Sequence, residues 1–127
     1  MPAILKNSLV RLAMLLVLCP LLLSTSSAKE APTDFPLILA TDLPAEARDT
    51  LSLIHRRGPF PYPKDGVVFS NREKILPRQP RGFYHEYTVK TPGARNRGAL
   101  RIVCGGNSRL VCYFSDDHYQ TFKQIKE

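Results

Sequence analysis

Tyr84-His85-Glu86-Tyr87-Thr88-Val89-Lys90 is the stretch from which the fold can be read. It is rich in aromatic and β-branched residues and lies between Gly82 and the turn-forming Pro92-Gly93, as a β-strand between turns would. Side chains alternate along a strand. His85, Tyr87 and Val89 therefore share one face, and Glu86 and Thr88 the other. The apolar pair Tyr87 and Val89 marks the core side, which leaves a carboxylate on the open side. Two further runs, residues 99–104 and 110–114, have strand composition and flank Gly105-Gly106-Asn107-Ser108, a strong turn signal. In the first of them, if Ile102 is core, Arg101 and Val103 face the same side as Glu86. Cys104 and Cys112 lie on either side of the turn. A cross-strand disulfide is expected there, with two separate half-buried thiols as the alternative. Residues 119–125 could form a last edge strand.

Toward the N-terminus, residues 43–57 read as a helix. Thr41 or Asp42 can cap it, Pro44 suits its first turn, and Glu46 complements the dipole. Ala47, Leu51 and Ile54 recur at helical spacing and should face the core. His55, Arg56 and Arg57 occupy the last turn, where cations are favourable, and Gly58 ends it. His55 is assigned to that end rather than to catalysis. Three prolines and Asp65-Gly66 make residues 59–66 a surface loop, with Phe60 and Tyr62 tucked inward. A brief extended stretch at 67–69 and a polar loop at 70–79 follow. One helix followed by antiparallel strands predicts an α+β domain, with an N-terminal helix packed on one face of a small antiparallel β-sheet.

Lys6 and Arg11 precede an apolar run at 12–23, and small residues follow up to Ala28. This is the pattern of a secretory signal peptide over residues 1–28. The run is too short to span a bilayer comfortably. Residues 29–127 are then one domain, with 29–42 a loosely held N-terminal arm that includes a short strand near Leu37-Ile38-Leu39-Ala40. The full chain carries a formal charge of +7; two of its 18 Lys and Arg residues and none of its 11 acidic residues precede Lys29, which leaves +5 for the rest. Such a balance favours a polyanion such as nucleic acid. Export permits the disulfide, and stable membrane association after signal cleavage is not expected.

Glu86, Arg97, Arg101 and His118 form one carboxylate, two fixed cations and one imidazole. Such a set can cleave RNA without a metal. A base removes the ribose 2′-OH proton, an acid protonates the leaving oxygen, and the arginines hold the phosphoryl charge. A passive phosphate-binding face gains nothing from a carboxylate among its arginines, whereas a transesterification site needs one. Arg97 lies four residues before Arg101, about 13 Å in extended chain, so both can meet one phosphate only if the 92–98 loop curls and Arg97 reaches back. Carboxylates around His118, in Ser115-Asp116-Asp117-His118, would favour its charged form. His85 points the other way and should be structural. The three histidines and two remaining cysteines show no metal-ligand spacing.

The stretches Asp65-Gly66-Val67-Val68-Phe69-x-Asn71-Arg72-Glu73, Tyr84-His85-Glu86-Tyr87-Thr88-Val89, Thr91-Pro92-Gly93-Ala94-Arg95-x-Arg97-Gly98 and Asp117-His118-Tyr119-x-Thr121-Phe122 resemble the secreted microbial guanyl-specific ribonucleases, the ribonuclease Sa branch most and barnase more distantly. The likeness runs from about residue 43 to 125. It implies that Glu86 is the general base, His118 the general acid, and Arg97 and Arg101 the phosphate clamp. It also implies a guanine site in Phe69, Ser70, Asn71, Arg72 and Glu73. There the Glu73 carboxylate would accept from guanine N1–H and the 2-amino group, backbone N–H groups near Asn71 and Arg72 would donate to O6, and Phe69 and Tyr119 would pack close by. Ser70 departs from the glutamine of the Sa branch, and the disulfide that joins the two ends in that branch is missing. No cofactor is implied. Single-stranded RNA is the implied substrate, the protein a monomer, and a barstar-like inhibitor a family-based expectation. A rival reading is a non-catalytic secreted RNA-binding module on the same scaffold. A cationic membrane-active protein is disfavoured, because residues 43–57 are only modestly basic.

Overall fold

The computed structural model describes residues 35–127. The signal segment at 1–28 and the first part of the arm lie outside them. The described elements are strand β1 (Leu37–Leu39), a 3-10 turn (Ala40–Asp42), helix α1 (Ala45–Arg56), and strands β2 (Val67–Val68), β3 (Tyr84–Thr88), β4 (Arg101–Gly105), β5 (Val111–Ser115) and β6 (Lys123–Lys126). They form one helix and one sheet in the order β1-β6-β5-β4-β3-β2. The α+β class is as the sequence implies.

Three expectations about the sheet are corrected. It is mixed rather than antiparallel, because β1 runs parallel to β6, with Leu37 opposite Gln124 and Leu39 opposite Lys126. The short strand expected near residues 37–40 is present over Leu37–Leu39 and pairs with β6, so β6 is not an edge strand. It also begins later than its composition suggests. His118 and Tyr119 both have positive φ, 56° and 70°, a left-handed conformation that no strand tolerates.

α1 starts without a side-chain cap. Thr41 and Asp42 lie in the preceding 3-10 turn, and Pro44 holds the N-cap position. The C-terminal expectation needs a one-residue shift. Arg57, not Gly58, closes the helix in the left-handed region, and the Arg57 and Gly58 N–H groups donate to the Ile54 and Leu53 carbonyls. His55 does not cap a carbonyl. Its Nε2 lies 2.6 Å from a Glu127 carboxylate oxygen, tying α1 to the segment after β6.

The helix face of the sheet holds the larger core. Leu43, Ala47, Leu51 and Ile54 pack against Val89, Ile102, Cys104, Phe114 and Ile125. Phe60 turns inward from the proline-rich loop and its ring lies 5.1 Å from that of Tyr87. The other face is only partly open. Leu76, Tyr84, Val103, Tyr113 and Phe122 make a second cluster, which Phe69 and Tyr119 join. Leu76 comes from the loop read as polar and is only 2% exposed. That loop packs Leu76 onto the sheet face, and its residues 70–73 border the site. Among the described residues no helix is long and apolar enough to cross a membrane.

Cys104 and Cys112 sit directly opposite across β4 and β5, bonded to one another. The bridge closes a short loop, so its contribution lies at the lower end of the usual range. Replacing both cysteines by alanine should lower unfolding free energy by about 2–3 kcal/mol, read as a lower urea midpoint with unchanged slope. A midpoint that does not move would show that the pair is not bridged in solution.

Candidate active site

A row of three polar side chains crosses one end of three neighbouring strands. Thr88 on β3 is in register with Arg101 on β4, which is in register with Ser115 on β5. All three are buried, at 1–2% exposure. They lie on the face that carries Glu86, as the strand parity predicts. Buried polar groups need partners, and the partners of this row are the pieces of the site.

Thr88 takes Arg97. Its Oγ1 accepts from Arg97 Nε and Nη2 at 3.0 and 2.7 Å. The same Nη2 is 3.6 Å from Glu86 Oε1. Arg97 therefore does reach back from a curled loop. Gly98 makes that curl possible: its φ is 64°, and a Cβ there would lie 2.2 Å from Thr91 Oγ1. Arg101 gathers the same loop from below. Its Nη1 donates to the carbonyls of Arg97, Gly98 and Leu100, and its Nε donates to the Tyr119 hydroxyl at 3.1 Å. Tyr119 in turn donates to Glu86 Oε2 at 2.9 Å. Burial, and then the bond to Glu86, raise the Tyr119 phenol above its ordinary value, so it keeps its proton as a donor.

Ser115 holds the loop that carries His118. Its Oγ accepts from the Tyr119 N–H and donates to Asp117 Oδ1. Asp117 also accepts from the Thr121 N–H and hydroxyl. The His118 N–H donates to the Ala99 carbonyl, and its exposed ring sits 5.0 Å from that of Tyr119. The sequence sets the Asp116 and Asp117 carboxylates beside His118, but Asp117 is engaged elsewhere. It braces the turn that puts two consecutive left-handed residues in the cleft, because its lone pairs are taken by Ser115 and Thr121.

The loop after β2 closes the other side. Phe69 stacks on Tyr119, with centroids 5.2 Å apart and planes 24° apart. Asn71, at φ 52°, turns its side chain back onto Leu76, donating to its carbonyl and accepting from its N–H. Phe69, Ser70, Asn71, Arg72, Glu73, His118 and Tyr119 all border one cavity of about 580 Å³. The structure thus brings together Glu86, Arg97, Arg101 and Tyr119 through direct contacts, and His118 with residues 69–73 around the adjoining hollow. Among the described residues no three His, Cys, Asp or Glu side chains converge as metal ligands do.

Residues 27–126 match the sequence profile of the ribonuclease family. The chain belongs to that family. It is similar to guanyl-specific ribonuclease Sa of Kitasatospora aureofaciens, 58% identical over 85 residues that cover 67% of this chain and 88% of that protein. Guanyl-specific ribonuclease St of Saccharopolyspora erythraea is 49% identical over 98 residues, covering 74% of this chain and 95% of its own. Among solved structures, ribonuclease Sa2 in complexes with mononucleotides superposes with a TM-score of 0.70 at 49% identity, over 73% of this chain and 95% of that one. Ribonuclease Sa2 with guanosine-2′-cyclophosphate gives 0.68 at 50% identity, over 72% and 97%.

In this ribonuclease the supporting residues were harder to read than the reactive ones. Thr88 and Ser115 were signalled only by parity, each lying two positions beyond a residue of the Glu86 face. The inward turn of Asn71 had no signal beyond its residue type. A larger cleft, about 1040 Å³, lies on the helix side and includes His55, His85 and Arg109. Its histidines are engaged, His85 with the Gly66 carbonyl and His55 with Glu127, and Glu86 faces away from it.

The Thr121 hydroxyl, first, and its other donors hold the Asp117 carboxyl below its ordinary value. A lowered folded value stabilises the fold above the unfolded value of about 3.9 and is lost as pH falls through the folded one. Asp117→Asn should therefore be less stable than the parent at pH 7, with the gap narrowing on acidification below pH 4. Urea midpoints across that range check this; a gap independent of pH would mean the carboxylate charge is not what braces the turn.

Proposed function

We propose that this ribonuclease is a guanine-preferring endonuclease that cuts single-stranded RNA on the 3′ side of guanosine. The observation that carries the reading is the Glu86 carboxylate. It sits within hydrogen-bond reach of the Tyr119 phenol and 3.6 Å from the Arg97 guanidinium, beside the buried Arg101 and the hollow bordered by residues 69–73. A surface built only to hold phosphate would be weakened by that carboxylate.

In the first step Glu86 takes the proton of the guanosine 2′-OH. The 2′-oxygen bonds to phosphorus, the P–O5′ bond breaks, and His118 gives its proton to the departing 5′-oxygen. Arg97 and Arg101 offset the charge that builds on the phosphoryl oxygens. The product is a 2′,3′-cyclic phosphate. In the second step His118 takes a proton from water, the water oxygen bonds to phosphorus, the P–O2′ bond breaks, and Glu86 returns a proton to the 2′-oxygen, leaving a 3′-phosphate. DNA lacks the 2′-OH and should bind without being cut.

Base choice is assigned to the loop after β2. Glu73 would accept from guanine N1–H and the 2-amino group, backbone donors around Asn71 and Arg72 would meet O6, and Phe69 with Tyr119 would pack on the purine. Adenine carries a lone pair at N1 and no 2-amino group, so the carboxylate would face an unpaired acceptor. The guanyl-specific relatives and the guanosine-2′-cyclophosphate bound to ribonuclease Sa2 support this reading. Ser70 is short, and it leaves that corner of the loop less filled than a longer side chain would. We further propose export directed by residues 1–28, action as a monomer without a cofactor, and inhibition by an acidic barstar-like protein that covers the cleft.

A synthetic RNA with one guanosine, incubated with the protein in EDTA, should be cut once, 3′ of that guanosine, through a cyclic phosphate. Glu86→Gln and His118→Ala should each lower kcat by about 10²–10⁴-fold while single-stranded DNA binding persists. Full activity in Glu86→Gln would overturn the base assignment. No cleavage by a folded parent protein would favour the binding-module reading.

A further inference from the structure

We propose that Thr88 is a positioning residue of the phosphate clamp, an uncharged seat that aims the Arg97 guanidinium without neutralising it. The proposal rests on the reading of Arg97 as a ligand of the scissile phosphate.

The geometry is specific. Arg97 applies one edge of its guanidinium, Nε and Nη2, to a single oxygen, Thr88 Oγ1. That leaves the Nη1–Nη2 end of the planar fork for another acceptor. The Arg97 side chain keeps 30% exposure, so it is not sealed from the open side. Among the described residues its closest carboxylate oxygen, Glu86 Oε1, is at 3.6 Å, beyond hydrogen-bond length.

The seat itself cannot move. Thr88 is 1% exposed, and its branched Cβ restricts χ1. Its N–H is taken by Asp65 Oδ1 at 2.7 Å, while Asp65 Oδ2 accepts from the Tyr62 N–H. The proline-rich loop thus pins the end of β3, and the end of β3 pins Arg97. A carboxylate at this position would hold an arginine more tightly. It would also cancel much of the charge that a phosphate must meet. A hydroxyl gives direction and leaves the charge intact.

Two ligands separate the seat from the rest of the site. Guanosine reads the base pocket alone, and guanosine 3′-phosphate reads the base pocket and the clamp together. The ratio of their affinities, measured by calorimetry, isolates the clamp. Thr88→Val should lower that ratio by about tenfold, the size of one lost hydrogen bond to a charged group, with guanosine binding unchanged. On a guanylyl dinucleotide kcat should fall more than KM rises, and Thr88→Ser should recover most of both losses. Thr88→Ala serves if the valine variant does not fold, as circular dichroism will show. Thr88→Asp should also lower the ratio; an unchanged or higher ratio would overturn the claim that neutrality matters.

In an Arg97→Ala background, Thr88→Val should cost nothing further, because the two residues act as one unit. Equal losses for guanosine and guanosine 3′-phosphate in Thr88→Val, or full additivity with Arg97→Ala, would make Thr88 structural only and overturn the proposal. Arg97→Ala alone tests the reading beneath it. If that variant keeps the parent ratio, the clamp assignment and this proposal both fall. If it loses the ratio while Thr88→Val keeps it, the proposal alone falls.

Discussion

A guanidinium buried to 2% exposure at the start of a central strand constrains everything around it. Taking such a group out of water costs several kcal/mol unless its donors are met. Among the described residues no carboxylate is in direct contact with Arg101. The guanidinium is met by three carbonyls of a loop that bends to reach it, and by one phenol. The curl of residues 97–100, the place of Tyr119 and the Tyr119 bond to Glu86 all follow from that demand. Thr88 and Ser115 extend the arrangement to either side, so three neighbouring strands each anchor one movable part: the Arg97 loop, the Arg101 network and the His118 turn. The anchors are strand residues and the reactive groups largely sit on what they anchor, which is how a loop-borne site keeps its geometry.

The two faces of the sheet divide the work. The helix face buries the larger apolar cluster and a cross-strand disulfide. The opposite face carries a smaller cluster, built from Tyr84, Val103, Tyr113, Phe122 and Leu76, whose margin is the site. Phe69 and Tyr119 belong to that margin and to the hollow at once. Their stacking connects the packing of the minor cluster to the shape of the hollow.

Much of this was legible in the sequence because strand parity is a strict rule. Glu86, Arg101 and the helix-side Tyr87 fall where alternation puts them, and the Gly-rich turn between Cys104 and Cys112 sets the register that joins them. The return of Arg97 followed from the reach of an extended chain. What escaped were contacts that composition does not encode. Nothing local shows that Leu37-Ile38-Leu39 pairs in parallel with a strand at the far end of the chain. Nothing in Asp117 alone shows whether it faces His118 or turns back to Thr121. The helix start misled for a related reason: Thr41 and Asp42 are good capping types, but a 3-10 turn holds them and Pro44 takes the cap position. Apolar periodicity reads faces well, and short polar side chains choose among partners only once the backbone is placed.

The parallel pairing of β1 with β6 bears on when the molecule becomes dangerous to RNA. A ribosome delivers segments in order, and among the described elements β1 is made first and β6 last. Phe122 and Ile125, which complete the clusters on the two faces, come with β6. Until that segment is out, β1 has no neighbour in the sheet and neither apolar cluster is whole. Domains of this size fold as units, so the row that gathers Arg97, Tyr119 and Glu86 forms only once β6 has been made. The nascent chain, surrounded by the RNA of the ribosome that makes it, has all of its reactive side chains and no cleft to hold them.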